Sequence, residues 1–441
     1  MPKLQKKLTL FGLTMIAVGG CIGSGIFVTP AQIVSAVPNA SLVLAVWALG
    51  GIIALTGALT FTELGGMFPK SGGVYVYLKE AFGGLTGFLY GWAILLVINT
   101  GALAGLCVAF AEYLKIFIPD ISDNGKTAVA AITLIGLTAY NMFGVHLSQR
   151  IASVFTVLKL MAIVAIILAG FIYFDPDKVP VDFSLSGGMP ENLTAAILTG
   201  LVGVLFSMGG WHHASYLSGE AIDAKRTVPR AMFLGVLIVM TTYLLVNLSY
   251  MFLLPLDAIS QTPRVAADAI STLVPWGGKA VAVMIAVSIF GTISIYTMTA
   301  PRIYQAMAQD GIFFKELAKI HPRWHTPVNA MIIQVVWALI ILLFFGGIFS
   351  EIITFVTFLD IAFMGLAGVS LFVFRKKLKD TQRPIKAWGY PIIPLVFIII
   401  SFAFAINTLM ENPGQAVPGL VLLGIGVGVF YFFKQNPNNP I

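Results

Sequence analysis

Charged residues are scarce in this chain. Asp, Glu, Lys and Arg account for 10% of its 441 residues and hydrophobic residues for 58%. A typical soluble domain carries roughly a quarter charged residues. The composition therefore excludes a soluble globular protein.

The surplus of positive charge does not indicate a nucleic-acid partner. The formal net charge is +7, but Lys and Arg lie in short loops between apolar segments and form no single basic face. We therefore predict the lipid bilayer as the surroundings of this chain and exclude nucleic-acid binding.

Cysteine is nearly absent and catalytic motifs are missing. The two cysteines, Cys21 and Cys107, both lie in apolar segments, which argues against a disulfide framework. The chain has no sequence motif for a nucleophile, a metal cluster or a cofactor, and the spacing of His212, His213 and Glu220 matches no metal site. We predict neither an enzyme nor a bound cofactor or metal. The loops are also too short for the output domain of a membrane sensor.

Apolar segments long enough to cross a bilayer follow one another along the chain. The basic start continues into apolar sequence as far as Phe27 without a clear cleavage site, so we interpret it as a retained first membrane helix. Twelve segments are predicted, at residues 10–37, 41–64, 84–114, 127–144, 150–174, 191–219, 230–254, 279–306, 328–346, 350–374, 391–410 and 416–433.

The distribution of Lys and Arg predicts the orientation. If the segments cross alternately, the side with the N-terminus holds 20 of these residues and the other side holds 5. By the positive-inside rule both termini are cytoplasmic. One residue, Lys159, belongs to neither side because it falls within the fifth segment.

Two glycine-rich stretches lie in the middle of apolar segments that are five segments apart. They are GGCIGSGIF at residues 19–27 and FSMGGWHH at residues 206–213. Matching interruptions are typical of transporters built from two inverted repeats, with the site near the midplane. We predict repeats over 10–174 and 191–374, which leaves the last two segments, over 391–433, outside them. The alternative is that these glycines serve only close helix packing.

A broken helix in a membrane needs a polar partner, because each unpaired backbone group there costs several kcal/mol. The start of a helix near Gly23, Ser24 and Gly25 offers N–H groups and a partial positive charge, which suit a carboxylate. The carbonyls near Cys21, Phe206 and Gly209 suit an ammonium. Together they predict a site for the backbone of an α-amino acid.

Four longer stretches resemble one family. They are IGSGIF (22–27), ALTFTELGGMFPKSGGVYVYLKEAFG (58–83), GGWHHASYLSGE (209–220) and RPIKAWGYPIIP (383–394). The chain is similar to the amino acid-polyamine-organocation superfamily, especially the L-amino acid transporters and bacterial serine/threonine exchangers. The resemblance implies an all-α membrane protein of the LeuT-type fold, with twelve transmembrane helices, 5+5 inverted repeats and broken helices 1 and 6.

The resemblance also implies a function and a substrate site. The function is sodium-independent exchange of small neutral L-amino acids such as serine, threonine and alanine, by alternating access across the plasma membrane. The residues implied in substrate binding are Cys21, Ile22, Gly23, Ser24, Gly25, Phe206, Ser207, Gly209 and His212. Animal relatives that bind a glycoprotein carry a cysteine in the loop that corresponds to residues 113–126, which lacks one here. No disulfide-linked heavy subunit is therefore expected.

Coupling and gating are assigned to Lys159, Tyr243 and Asp360. Lys159 resembles a built-in replacement for sodium between the fifth helix and the broken first helix, where a buried Lys costs about 2.5–3.5 kcal/mol. Tyr243 is similar to a tyrosine whose hydroxyl bonds the unwound region. Asp360 lies near the substrate region, where relatives are neutral.

Several alternatives stay open. Asp360, His212 or Lys159 could carry a proton in a symporter, and Asp360 could instead select cationic amino acids or polyamines. His213 is expected to pack or to face water. We interpret Glu63, the segment 70–80, and Glu220 with Arg230 as structural or gating groups.

Overall fold

The computed structural model describes residues 3–185, 189–345, 349–411 and 413–435. These ranges are almost entirely helical, with one isolated bridge between Leu8 and Ala221. The first ten helices are α1 (Leu10–Cys21), α2 (Gly25–Ala36), α3 (Ala40–Met67), α4 (Val74–Phe82), α5 (Gly84–Ala93), α6 (Asn99–Tyr113), α7 (Asp123–Met142), α8 (Val145–Ile172), α9 (Leu193–Met208) and α10 (His213–Tyr216). The others are α11 (Ala224–Leu253), α12 (Leu256–Gln261), α13 (Val265–Ser271), α14 (Gly277–Thr299), α15 (Pro301–Gln309), α16 (Val328–Phe345), α17 (Phe349–Lys377), α18 (Ile392–Glu411) and α19 (Pro413–Gln435).

Each of the twelve predicted apolar segments corresponds to a helical stretch, although position 346 lies outside the described residues. Within the described ranges, eight stretches are long and apolar enough to cross a membrane, and the bent pair α1 and α2 makes a ninth. The apolar parts of α16 and α19 fall short of that length. The structure is therefore that of a multi-pass helical membrane protein.

The first predicted break is present between α1 and α2. Four of the seven residues at positions 19–25 are glycine, each of which destabilises a helix by about 1 kcal/mol relative to alanine. The helix ends at Cys21, resumes at Gly25 and changes direction by 43°. The sixth predicted segment is also interrupted, since α9 ends at Met208 and helix resumes at His213.

The broken first helix lies at the centre of the molecule. Ten of the twelve residues of α1 are buried, and α1 packs against α8, α11 and α14. By contrast, α8 exposes large apolar side chains such as Met161, Leu168 and Ile172. An apolar outer surface of this kind suits contact with lipid acyl chains.

Glu63 joins separate elements, as predicted. Its buried carboxylate pairs with Arg375 at 2.6 Å and Arg383 at 2.9 Å, and accepts the Ala387 N–H at 2.8 Å. In segment 70–80, Lys79 pairs with the Asp310 carboxylate at 2.9 Å. The prediction that these groups hold loops together is confirmed.

The predicted pairing of Glu220 with Arg230 is wrong. The Glu220 carboxylate instead binds Arg302 through two bonds of 2.8 and 3.0 Å, and both side chains are fully buried. Arg230 lies on an exposed face of α11. A buried carboxylate requires a buried cation, because an unpaired charge in the interior is strongly unfavourable.

Candidate functional site

The first break creates a donor end and an acceptor end. The first N–H groups of α2 have no acceptor within their own helix, and they carry the partial positive charge of its dipole. Gly23 differs from the prediction, since its N–H donates to the Cys21 carbonyl at 2.9 Å. The donor role therefore falls to Ser24 and Gly25 at the start of α2.

The second break supplies carbonyl acceptors. The Gly209 N–H donates to the Phe206 carbonyl at 3.2 Å, and Gly209 itself is extended. Gly210 has a φ of 106°, a conformation that glycine adopts without strain. A carbonyl oxygen has two lone pairs, so Phe206 can still accept a second bond from a ligand.

The two breaks touch each other backbone to backbone. A Cβ atom added to Gly210 would lie 2.5 Å from the Gly20 carbonyl oxygen, so this approach requires glycine. The Cys21 thiol also donates to the Met208 carbonyl at 3.4 Å. The carbonyls of one break are thus held next to the helix start of the other.

Tyr243 of α11 connects the two breaks. Its buried hydroxyl lies 3.1 Å from the Cys21 carbonyl and 3.2 Å from the Ser207 carbonyl. The hydroxyl therefore lies within hydrogen-bonding distance of a backbone carbonyl from each break. Ser207 also contacts Thr29 of α2, with 3.0 Å between the hydroxyl oxygens.

Lys159 of α8 stands on the other side of the first break. Its buried ammonium donates to the carbonyls of Ile22 at 2.6 Å and Gly19 at 3.2 Å. It also lies 3.0 Å from the Thr292 hydroxyl. The predicted bridge between the fifth helix and the broken first helix is present, and it uses the carbonyl of Ile22.

Two hydroxyl groups of α14 complete this network, although sequence reasoning missed them. Thr292 lies 3.0 Å from the carbonyls of both Gly19 and Ile22. Ser288 lies 3.2 Å from the Ile22 carbonyl and 3.3 Å from that of Gly23. The available signal was their spacing, because residues four apart lie on the same face of a helix.

A cavity lies between the two breaks. Its lining includes seven of the nine predicted substrate-binding residues, namely Cys21, Gly23, Ser24, Gly25, Phe206, Ser207 and Gly209. The Ile22 carbonyl accepts a hydrogen bond from Lys159, and His212 lines a neighbouring cavity. We call the cavity between the breaks the clamp cavity.

The neighbouring cavity is larger and contains the predicted Asp360. Its walls are mostly apolar, and the ionisable groups among its described lining residues are His212, His213, Tyr296 and Asp360. The His212 Nε2 atom lies 3.9 Å from the Asp360 Oδ1 atom, beyond hydrogen-bonding distance. His213 also lines this cavity, but its ring packs on Tyr296 and its Nδ1 atom lies 2.6 Å from the Thr299 hydroxyl. The prediction that His213 packs is confirmed.

Comparison with known proteins agrees with this architecture. The family model described as "Amino acid permease" matches residues 8–430. The chain is 31% identical over 446 residues to "Large neutral amino acids transporter small subunit 2" of Mus musculus, covering 97% of this chain and 81% of that protein. It is 29% identical over 455 residues to "Asc-type amino acid transporter 1" of Mus musculus, with coverage of 98% and 83%. It is also 29% identical over 436 residues to the human "Cystine/glutamate transporter", with coverage of 98% and 86%.

Opposed helix breaks around a cavity in a multi-pass helical protein define a membrane transporter. The chain belongs to the amino acid permease family, within the amino acid-polyamine-organocation superfamily. The predictions of this family, of amino-acid transport and of a protein that is not an enzyme are confirmed.

Proposed function

We propose that this chain is a sodium-independent exchanger of small neutral L-amino acids, such as serine, threonine and alanine, working by alternating access. In this proposal it has the LeuT-type fold with twelve membrane spans. Residues 10–174 and 191–374 form the inverted repeats, and residues 391–433 form the two extra helices. The protein lies in the plasma membrane with both termini in the cytoplasm.

The arrangement of the clamp cavity carries the proposal. The start of α2 at Ser24 and Gly25 suits the substrate carboxylate, because N–H groups and the helix dipole converge there. The carbonyls of Phe206 and Gly209 suit the ammonium, whereas that of Cys21 already accepts the Gly23 N–H and lies 3.1 Å from the Tyr243 hydroxyl. A Cβ atom at Gly25 would lie 2.6 Å from the Ser207 hydroxyl, so glycine lets the start of α2 pack directly against the second break.

A small neutral side chain suits the rest of the clamp cavity. Within the part of the chain that the structure describes, no charged side chain lines it. Its remaining walls include Leu106, Tyr296 and Val356. The clamp cavity therefore binds the backbone of the substrate through polar groups and surrounds its side chain with apolar walls, which distinguish only weakly between small neutral side chains.

The position of Lys159 supports sodium independence. Its ammonium occupies the carbonyls of Gly19 and Ile22, which are the kind of oxygen ligands that a cation would take. Neither glycine-rich break contains Asp or Glu. A protonated Lys159 at this place repels sodium, and its hydrogen bonds hold the first helix to α8.

The test is serine exchange by the purified chain in proteoliposomes. We expect uptake of labelled serine only when the vesicles contain unlabelled serine, alanine or threonine, with equal rates in sodium and choline buffers. Equal uptake into empty vesicles would contradict exchange. A requirement for sodium would contradict the role of Lys159.

The same preparation tests whether a partner subunit is needed. One relative is named a "small subunit", but here Cys21 and Cys107 are both free and buried. We propose that the chain transports without a disulfide-linked partner. Activity of the chain alone in the vesicles is the expected result, and its recovery only after adding membrane extract would oppose the proposal.

Tyr243→Phe is expected to slow serine exchange by about fivefold, since one net hydrogen bond contributes roughly 1 kcal/mol. Initial rates at equal protein density provide the measurement. Tyr250→Phe is the matched control on α11, because the buried Tyr250 hydroxyl has no hydrogen-bond partner among the described residues. Similar losses in both variants would show that the contacts of Tyr243 with the two breaks are unimportant.

A further inference from the structure

The larger cavity holds a carboxylate that the clamp does not use. Asp360 of α17 faces this cavity, and its Oδ1 atom is buried without a hydrogen-bond partner among the described residues. The imidazole of His212, 3.9 Å away, is the nearest basic group. The carboxylate of Asp360 can therefore accept a hydrogen bond from a group that enters this cavity.

Among the described residues that line the cavity, only His212 and His213 could carry a positive charge. Apolar side chains such as Ile53, Ile98 and Met364 form most of the wall. The other titratable neighbours are His213, whose Nδ1 atom contacts the Thr299 hydroxyl, and three tyrosines. Tyr296 lines the cavity, and Tyr90 and Tyr216 are close enough to interact electrostatically with Asp360. An ionised carboxylate in an apolar cavity is unfavourable until a cation or a proton reaches it.

The position of Asp360 relates it to the substrate. The larger cavity and the clamp cavity share Ala102, Phe206, Gly209, Tyr296 and Val356 as lining residues. A substrate held by its backbone in the clamp cavity can therefore extend a longer side chain into the larger one. An aliphatic chain with a cationic end matches apolar walls that lead to one carboxylate.

We propose that Asp360 forms a subsite for one positive charge at the end of the substrate side chain. The transporter then carries diamino acids in addition to small neutral ones. This inference rests on the proposed clamp for the amino-acid backbone. A long neutral side chain brings no charge, so its binding requires a proton on Asp360 or His212 and is weaker at neutral pH than at acidic pH.

Ornithine and norleucine provide the test, because their side chains have nearly the same length and shape and differ in the terminal ammonium. Both are used to compete with serine-for-serine exchange by the full-length protein. At neutral pH we expect ornithine to compete at least about tenfold better than norleucine, since a desolvated charge pair readily supplies that factor. At acidic pH the difference should shrink because norleucine gains. Thermal stabilisation of the purified protein by each ligand is measured in parallel.

Asp360→Asn should remove the preference for ornithine and the effect of pH on norleucine binding, and Asp360→Glu should restore the preference at least partly. His212→Asn should retain the preference, because the carboxylate remains. Asp175→Asn, in an exposed loop where Asp175 pairs with Lys178, is the matched control and should keep the wild-type ratio. The thermal-shift ratio gives the same comparison for any variant that binds but does not transport.

The outcomes separate the two proposals. Failure of serine exchange in the wild type refutes the proposed function, whereas the ornithine-to-norleucine ratio reports on the subsite alone. The subsite is refuted if Asp360→Asn keeps the wild-type ratio. It is also refuted if norleucine competes better than ornithine at every pH. An increase of norleucine binding in acid does not support the subsite in that case, because protonation of Asp360 alone explains the increase.

Discussion

We expect Lys159→Met to lower the initial rate of serine exchange to a value at least about 100-fold below that of the wild type. The ammonium donates to the carbonyls of Gly19 and Ile22 and contacts Thr292. Methionine fills similar space but donates nothing. Among the described residues, the two carbonyls then keep only the hydroxyls of Thr292 and Ser288. Each hydrogen bond from a charged donor contributes roughly 1.5–3 kcal/mol, and the loss of two accounts for the predicted factor. Serine exchange at equal protein density measures the loss.

Two further variants make the result specific. Lys178→Met removes an exposed lysine that pairs with Asp175 in a loop, and it should leave the rate unchanged. Thr292→Val should give an intermediate loss, because Lys159 and Ser288 still bond the Ile22 carbonyl. Exchange by Lys159→Met at more than a tenth of the wild-type rate would contradict the proposed bracing of the first break.

Gly210→Ala is expected to have the second large effect. The added Cβ atom would lie 2.5 Å from the carbonyl oxygen and 2.6 Å from the carbonyl carbon of Gly20. The φ of 106° is also strained for alanine. Backbone strain and overpacking each cost about 1–3 kcal/mol, so the two breaks should separate and exchange should fall about 100-fold or more.

Gly136→Ala is the control for this substitution. Gly136 lies in α7, and a Cβ atom added there meets nothing within 4 Å. Its exchange rate and thermal midpoint should match the wild type. If Gly210→Ala also matches the wild type in serine exchange, the backbone contact between the two breaks does not position the substrate groups.

The sequence predicts the positions of both breaks because the signals are local. Glycine lowers helix stability wherever it occurs, so clusters at 19–25 and 209–210 mark the interruptions without knowledge of their neighbours. Lys159 was equally visible, since a charge inside an apolar segment is costly and needs a partner. The structure identifies its partners as Gly19, Ile22 and Thr292.

Pairings between distant segments could not be predicted in the same way. Glu220 lies 10 positions from Arg230 but 82 from Arg302, and the structure selects the distant partner. In the sequence, Ser288 and Thr292 cannot be distinguished from other small polar residues of a membrane helix. Their role is visible only in the structure, where α14 packs beside the first break. Gly23 appeared to offer a free N–H, but the local turn uses that group for the Cys21 carbonyl.

By itself, the sequence determined a multi-pass helical membrane protein, the two breaks and the amino-acid permease family. Only the tertiary structure decided that the breaks face each other at Gly20 and Gly210, that Tyr243 joins them, and that Asp360 lines the cavity beside them. The reason is physical. Hydrophobicity and helix propensity are local properties that can be read along the chain. A membrane helix that is apolar on nearly every side carries little information about which face turns inward. Its rotation is set by packing against neighbouring helices.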